Sequence, residues 1–199
     1  RAGKNVIEVI LRFKTKFGNC EGVVRLFEDQ ERKGFFKAWS LLTALSDLSS
    51  SDKKNNEQYQ NILEGPNWLD KRNEDRLYKN REPEVIVVGS GQAGLSIAAR
   101  LKQQNIDTLI VDKNERIGDN WRNRYHSLKL HNQTHVNHLP YMPFPSTWPT
   151  YIPKDKLAGW FEYYVESMEL NAWTNTKFTG AEYEENKRHW KVKLKLSDG

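Results

Sequence analysis

The chain has 199 residues, a formal net charge of +5 and a hydrophobic content of 37%. This length holds one domain and part of another, because domains commonly span about 100 to 150 residues. No apolar run approaches the roughly 20 residues of a membrane-spanning helix, and the N-terminus lacks a signal-peptide pattern, so we expect a cytoplasmic protein. The basic residues are scattered, which disfavours nucleic acid as a partner. The single cysteine, Cys20, excludes an internal disulfide, and no residues have zinc-ligand spacing.

Residues 1–45 predict a partial antiparallel β segment. Three apolar-rich runs have the composition of strands, namely Val6–Phe13, Val23–Phe27 and Phe35–Leu42, and the polar turn EDQERKG separates the last two. The run SDLSSSDKKNNEQYQ then contains too few apolar residues to become ordered by burial. We interpret residues 46–82 as an interdomain linker.

Residues 83–199 alternate in the order expected of a parallel α/β sheet. The pattern predicts a strand at Val85–Val88, a helix at Ala93–Gln104 and a strand at Thr108–Val111. The continuous run VIVV in the first strand favours coverage on both faces. Because Gly199 directly follows a strand-like run, we expect this domain to be truncated at its C-terminus and the chain to be a fragment.

A helix and a hairpin complete this region. A proline-rich stretch between Pro140 and Pro153 is expected to be extended. Lys154–Met168 then predicts an amphipathic helix. Its apolar stripe consists of Leu157, Trp160, Phe161, Tyr164, Val165 and Met168. Thr176–Tyr183 and Trp190–Leu196 alternate apolar with polar residues, which predicts a β-hairpin with one buried face.

The motif GSGQAG, Gly89 to Gly94, lies between the first predicted strand and the helix. A lone G-x-G-x-x-G is a weak signal, but a preceding strand and a following helix are typical of dinucleotide binding. Gly89 would make the tight turn, Gly91 would let a pyrophosphate approach, and Gly94 would let the helix pack on the strand. The helix N-terminus would then face the phosphates with free N–H groups. The alternative is a structural strand–helix–strand unit without a ligand.

Asp112 ends the second predicted strand, near the spacing of about 20 residues after the first glycine at which a carboxylate binds an adenosine ribose. A 2′-phosphate about 4 Å from this carboxylate would be repelled by about 4 kcal/mol per charge pair at an effective dielectric near 20. The sequence therefore predicts FAD or NAD at this site rather than NADP.

The segment after Asp112 resembles the flavin-containing monooxygenases, especially their indole-3-pyruvate monooxygenase-like branch and its fungal relatives. The resemblance rests on an I-G-x-x-W-R loop at Ile117–Arg122, an L-x-L-H segment at Leu128–His131 and a proline-rich motif at Leu139–Pro145. It extends from Glu84 to about Leu196 and implies a Rossmann-like FAD-binding domain with a hairpin insertion.

The resemblance also implies the residues that hold the cofactor. They are Gly89, Gly91, Gln92, Ala93, Gly94, Asp112, Lys113, Gly118, Trp121, Arg122 and His131. Trp121 and Arg122 would line the FAD, while His131 or Asn132 would lie near the flavin ring; packing alone is the alternative explanation for Trp121. No catalytic acid or base is predicted.

Three functions follow as hypotheses. The first is the FAD-binding portion of an NADPH- and O2-dependent monooxygenase of a small-molecule substrate, whose NADPH site is not contained in these residues because no second G-x-G-x-x-G occurs. The second is a non-catalytic FAD-binding fragment or remnant, and the third is half of an NAD-dependent dehydrogenase. The N-terminal run GFFKAWSLLTALSDL resembles the end of a nuclear-transport-factor-like domain, to which we assign no activity.

Overall fold

The structure, a computed structural model, describes residues 5–48, 65 and 67–197. The chain divides into two units, Arg1–Glu57 and Gln58–Gly199. Residues 49–64 and 66 of the predicted linker lie outside the described residues. No helix in the described ranges is both long and apolar enough to cross a bilayer.

The first unit is an antiparallel sheet of three strands paired in chain order, β1 (Ile7–Thr15), β2 (Gly18–Glu28) and β3 (Phe36–Leu48). The three predicted strands are confirmed, but β3 continues to Leu48, so the predicted start of the linker at residue 46 is wrong. The start of β2 was missed because polar residues and Gly22 interrupt its apolar pattern. A Cβ atom at Gly22 would lie 2.7 Å from the carbonyl oxygen of Leu42, so the strands approach too closely there for a side chain.

The second unit contains a short 3-10 helix at Thr134–Val136 and the remaining α-helices and strands. In chain order the α-helices and strands are α1 (Trp68–Leu77), β4 (Val85–Val88), α2 (Gln92–Gln103), β5 (Thr108–Val111), α3 (Asp119–Arg122), α4 (Lys154–Ser167), β6 (Asn171–Trp173), β7 (Thr176–Glu184) and β8 (His189–Leu196). Strands β4, β5 and β6 form a parallel sheet in that order, and β7 pairs with β8 as a hairpin. The predicted α/β fold with a parallel sheet, a hairpin and a preceding antiparallel segment is confirmed.

Strand β5 lies at the centre of the parallel sheet and is buried along its whole length. Its Ile110 faces a large apolar core that α2 and α4 share, while Leu109 and Val111 face a smaller core on the other side with Tyr78. This arrangement explains the uninterrupted apolar run in β5, since alternate residues enter different cores.

The predicted coverage of β4 on both faces is confirmed, since Val87 packs on the large core and Ile86 on the smaller one. Strand β4 pairs only with β5 among the described strands, and its last residue, Val88, is 57% exposed.

Two other predictions about this unit need correction. The hairpin is more open than expected, since Leu194 packs on the smaller core but Trp190 is 62% exposed. Finally, α1 lies inside the predicted linker, and its Arg72 donates hydrogen bonds to Asn171 and to the carbonyl of Leu170. Residues 67–82 therefore belong to the second unit.

Candidate functional site

The glycine turn between β4 and α2 has the geometry that the motif predicts. Gly89 adopts a φ of +96°, a conformation that side-chain-bearing residues rarely take, and its N–H donates to the carbonyl of Val111 at 2.8 Å. A Cβ atom at Gly94 would lie 2.0 Å from the carbonyl oxygen of Gly89. Only glycine at position 94 lets α2 start this close to the end of β4.

Gly91 leaves open space at the N-terminus of α2. It is the N-cap residue, so no side chain caps this helix, and the N–H groups of the first turn have no acceptor within the helix. The nearest atom to a Cβ placed at Gly91 is the Nδ2 of Asn120, at 3.4 Å. Gln92 and Ala93 are exposed beside it. Free N–H donors, a helix dipole and an absent side chain together form a cradle that fits a pyrophosphate group.

Asp112 directly follows β5 and lies against the glycine turn. Its side chain is already engaged: Oδ2 accepts from the N–H of Ser90 at 2.7 Å and from the Ser90 hydroxyl at 2.6 Å, and Oδ1 accepts from the N–H of Asn114 at 2.8 Å. Lys113 is exposed beside it. The structure brings the carboxylate next to the predicted phosphate site, while the ribose contact stays a prediction.

The loop Ile117–Arg122 lies between the glycine turn and α4 and contacts both. Gly118 has a φ of +88°, and a Cβ atom there would lie 2.6 Å from the carbonyl oxygen of Ala158, so the loop packs directly on the α4 backbone. α3 then places Asn120 beside Gly91. The loop therefore forms one side of the cradle, which supports its predicted place near the phosphates.

Arg122 is bound within the protein. Its guanidinium donates to the carbonyl of Ile117 at 2.7 Å, to Asp119 at 3.0 Å and to Glu162 at 2.7 Å. The buried ammonium group of Lys154 donates to the Arg122 carbonyl at 2.7 Å. In this arrangement the contacts of Arg122 hold the loop in place against α4. The sequence did not reveal the partner Glu162, because it lies 40 residues further along the chain.

Trp121 packs against the large core, and its indole N–H is buried without a hydrogen-bond partner in the described part of the chain. His131 and Asn132 are exposed on the segment that pairs with the end of the proline-rich stretch, where Leu130 donates to the carbonyl of Ile152. Trp121 lies next to Asn120 in the loop. The predicted positions of Trp121 beside the FAD and of His131 or Asn132 near the flavin stay predictions.

Four residues near the cradle were missed by sequence reasoning: Ser90, Asn120, Lys154 and Glu162. Ser90 and Asn120 occupy the variable positions of their motifs, where no residue type is prescribed. Lys154 and Glu162 belong to the predicted helix α4 and looked like ordinary charged surface residues. Only the packing of α4 against α3 makes them part of this region.

The sheet order and the glycine turn define a Rossmann-like dinucleotide-binding domain. Residues 87–145 match the family model described as an NAD(P)-binding Rossmann-like domain, which covers the turn, Asp112 and the loop as far as Pro145.

Curated proteins that are similar to this chain include oxidoreductases. The chain is 41% identical over 105 residues to a CzcO-like oxidoreductase of Geobacillus kaustophilus, covering 51% of this chain and 29% of that protein. It is 34% identical over 109 residues to the probable indole-3-pyruvate monooxygenase YUCCA3 of Arabidopsis thaliana, covering 54% of this chain and 25% of the relative. The chain therefore spans about a quarter of the length of these relatives, and over that span it is similar to an oxidoreductase and to a probable indole-3-pyruvate monooxygenase.

Solved structures share the fold. A flavin-containing monooxygenase from Stenotrophomonas maltophilia aligns with a TM-score of 0.51 and 20% identity, over 56% of this chain and 33% of that one. A bacillithiol disulfide reductase from Staphylococcus aureus aligns with a TM-score of 0.51 and 19% identity over the same shares. Since one is a monooxygenase and the other a reductase, these likenesses establish the fold alone.

Proposed function

We propose that this chain is the FAD-binding portion of an NADPH- and oxygen-dependent flavin monooxygenase. The observation that carries the proposal is the open cradle at Gly91, where the uncapped start of α2 meets Asn120. The similarity to YUCCA3 over 109 residues favours FAD as the dinucleotide.

The residues of the cradle would divide the work of binding. The first-turn N–H groups of α2 would bind the pyrophosphate, the missing side chain at Gly91 would let it approach, and Asn120 would donate from the opposite side. Bound FAD would supply the redox chemistry, including the activation of oxygen. Trp121 and Arg122 hold the loop that carries Asn120, and His131 and Asn132 remain our candidates for the flavin side of the site.

The wider activity belongs to the same proposal. We infer a small-molecule substrate, a cytoplasmic location and reduction by NADPH bound outside residues 1–199. The finer resemblances, to the fungal branch and to a nuclear-transport-factor-like domain before it, likewise stay predictions.

Binding of FAD to Gly91→Val tests the proposal. Apart from its chain neighbours, the new Cβ has one atom of the described residues within 4 Å, the end of the Asn120 side chain, which can move. The fold should therefore survive while the valine side chain blocks the phosphates. We expect the Kd for FAD, measured by flavin fluorescence, to rise at least about tenfold, which corresponds to about 1.4 kcal/mol.

Gly159→Val is the matched control, because a Cβ at Gly159 in α4 would have no described atom within 4 Å beyond its chain neighbours and the backbone of its own helix. It should bind FAD like the parent chain. Equal FAD affinity in Gly91→Val and Gly159→Val would refute the assignment of Gly91 to the phosphate site.

A further inference from the structure

The pair formed by Ser90 and Asp112 carries an inference about how the proposed site works. Ser90 lies between the first two glycines of the motif and is only 1% exposed, and Asp112 is 6% exposed. Both donors of Ser90, its N–H and its hydroxyl, point to the same carboxylate oxygen at 2.7 and 2.6 Å. Short, buried hydrogen bonds to a charged oxygen are among the strongest in proteins.

The Asp112 carboxylate has few acceptor positions left for further hydrogen bonds. An ionised carboxylate offers about four acceptor positions on its two oxygens. Ser90 occupies both positions on Oδ2, and the N–H of Asn114 occupies one on Oδ1. A ribose diol that donates two hydrogen bonds to this carboxylate would need two free positions, and one is left.

We propose that Asp112 is a positioning residue that sets the shape of the phosphate-binding turn through Ser90, instead of a ligand that grips the adenosine ribose through both hydroxyls. This inference rests on the proposed function, because it concerns the same dinucleotide site. The end of β5 holds the turn at two successive points: the carbonyl of Val111 accepts from Gly89, and Asp112 accepts from Ser90. With both peptides held, Gly91 and the start of α2 keep their orientation toward the phosphates.

Removal of either partner should therefore weaken the binding of the phosphate groups and leave the recognition of the ribose unchanged. Without Asp112, the N–H and hydroxyl of Ser90 would be buried without an acceptor, which favours a rearranged turn. Without the Ser90 hydroxyl, one of the two holding bonds is lost while the charge of Asp112 stays in place. Ser90→Ala is therefore the cleaner variant.

The test uses the full 199-residue chain and three probes: FAD, ADP, and 2′,3′-dideoxy-ADP, which keeps the pyrophosphate and lacks both ribose hydroxyls. Calorimetric titration gives each Kd. We expect Ser90→Ala to raise the Kd of ADP and the Kd of dideoxy-ADP by the same factor, about tenfold, as for the loss of one charge-assisted hydrogen bond. Asp112→Asn should keep the ADP to dideoxy-ADP affinity ratio at its parental value.

Ser96→Ala is the control, since its hydroxyl donates to the carbonyl of Gln92 within α2 and the same group is removed one turn away. It should leave all three affinities within about twofold of the parent. Unchanged ADP affinity in Ser90→Ala overturns the inference, as does an affinity ratio that falls toward one in Asp112→Asn. If Asp112→Asn does not fold, Ser90→Ala decides alone. A parent chain that binds neither FAD nor ADP would overturn the proposed function together with this inference.

Discussion

Gly118 is constrained in two independent ways, by its backbone and by its neighbour. Its φ of +88° is costly for any residue with a side chain, and a Cβ atom would lie within 3 Å of the backbone of Ala158. Because Ala158 is in the helix α4, it cannot move aside as a flexible side chain could. The contact fixes how far the loop that carries Asn120 stands from α4.

Gly118→Ala should therefore lower the free energy of unfolding by about 2 to 4 kcal/mol, the sum of a left-handed backbone and an overpacked contact. Urea denaturation followed by tryptophan fluorescence measures it. Gly89→Ala is the matched control, because the φ of Gly89 is +96° and, beyond its chain neighbours, no atom in the described part of the chain would lie within 4 Å of the new Cβ. Gly89→Ala should lower the free energy of unfolding by only about 1 to 2 kcal/mol. Equal losses in both variants would mean that the contact between a side chain at position 118 and the backbone of Ala158 does not destabilise the fold.

The sequence predicted the local backbone roles of two glycines, but it could not predict the protein partners of the charged residues. Gly89 and Gly94 follow from local geometry, since a turn and a close approach depend on residues a few positions away. The Arg122 guanidinium donates to Ile117, Asp119 and Glu162, and Asp112 accepts two hydrogen bonds from Ser90, while the predicted cofactor contacts of both residues stay predictions. Such partners come from tertiary packing, which no local pattern encodes.

Helix α1 is held to the second unit by polar contacts. Arg72 is buried, and burial lowers its pKa, but its guanidinium donates to Asn171 at 2.9 Å and to the carbonyl of Leu170 at 3.1 Å. The indole N–H of Trp173 donates to the carbonyl of Arg76 at 2.7 Å. These bonds connect α1 to β6 and its approach, at the edge of the parallel sheet.

Arg72→Ala should lower the free energy of unfolding by about 2 to 4 kcal/mol, because the buried carbonyl of Leu170 and the half-buried amide oxygen of Asn171 both lose a charged donor. Arg76→Ala on the same helix removes only an ion pair with the exposed Glu166 and should cost about 1 kcal/mol or less. Urea titrations of both variants provide the comparison. A similar small loss in each would show that the buried guanidinium does not hold α1 in place.

The residue that ends α1 predicts an alkaline limit to stability. Burial raises the pKa of Tyr78 from 10.0 to about 12, and its hydroxyl donates to Asp107 at 2.7 Å. Since the folded pKa lies above the unfolded one, this contribution to stability is complete below pH 10 and is lost as the pH rises toward 12. Tyr78→Phe should show a shallower fall in unfolding free energy between pH 10 and 12 than the parent chain, and parallel curves would contradict this.

Two elements were absent from the sequence prediction for physical reasons. The run NAW of β6 is too short for a recognisable alternation, and it is a strand because β5 offers it a free edge. Helix α1, WLDKRNEDRL, has no apolar stripe, and among its described side chains only that of Arg72 is buried. By contrast, β4 and β5 were predicted to the residue, because glycine, Asn-Ile-Asp and charged residues bound their apolar runs sharply.

At the scale of the whole molecule, the amino-acid sequence contains one G-x-G-x-x-G, at Gly89 to Gly94. FAD would occupy it under the proposed function. Transfer of a hydride from NADPH requires the nicotinamide to be held against the flavin, which takes binding groups for a second dinucleotide.

The FAD-loaded chain should therefore not accept electrons from NADPH. In an anaerobic stopped-flow experiment, flavin absorbance should fall no faster than that of free FAD at the same concentration, because nothing in residues 1–199 is assigned to hold the nicotinamide. Dithionite is the control, since it reduces flavin without a nucleotide site and should bleach the same sample. Rapid bleaching by NADPH would mean that these residues form a complete reductive site, and the proposal that they supply only the FAD-binding portion would then be wrong.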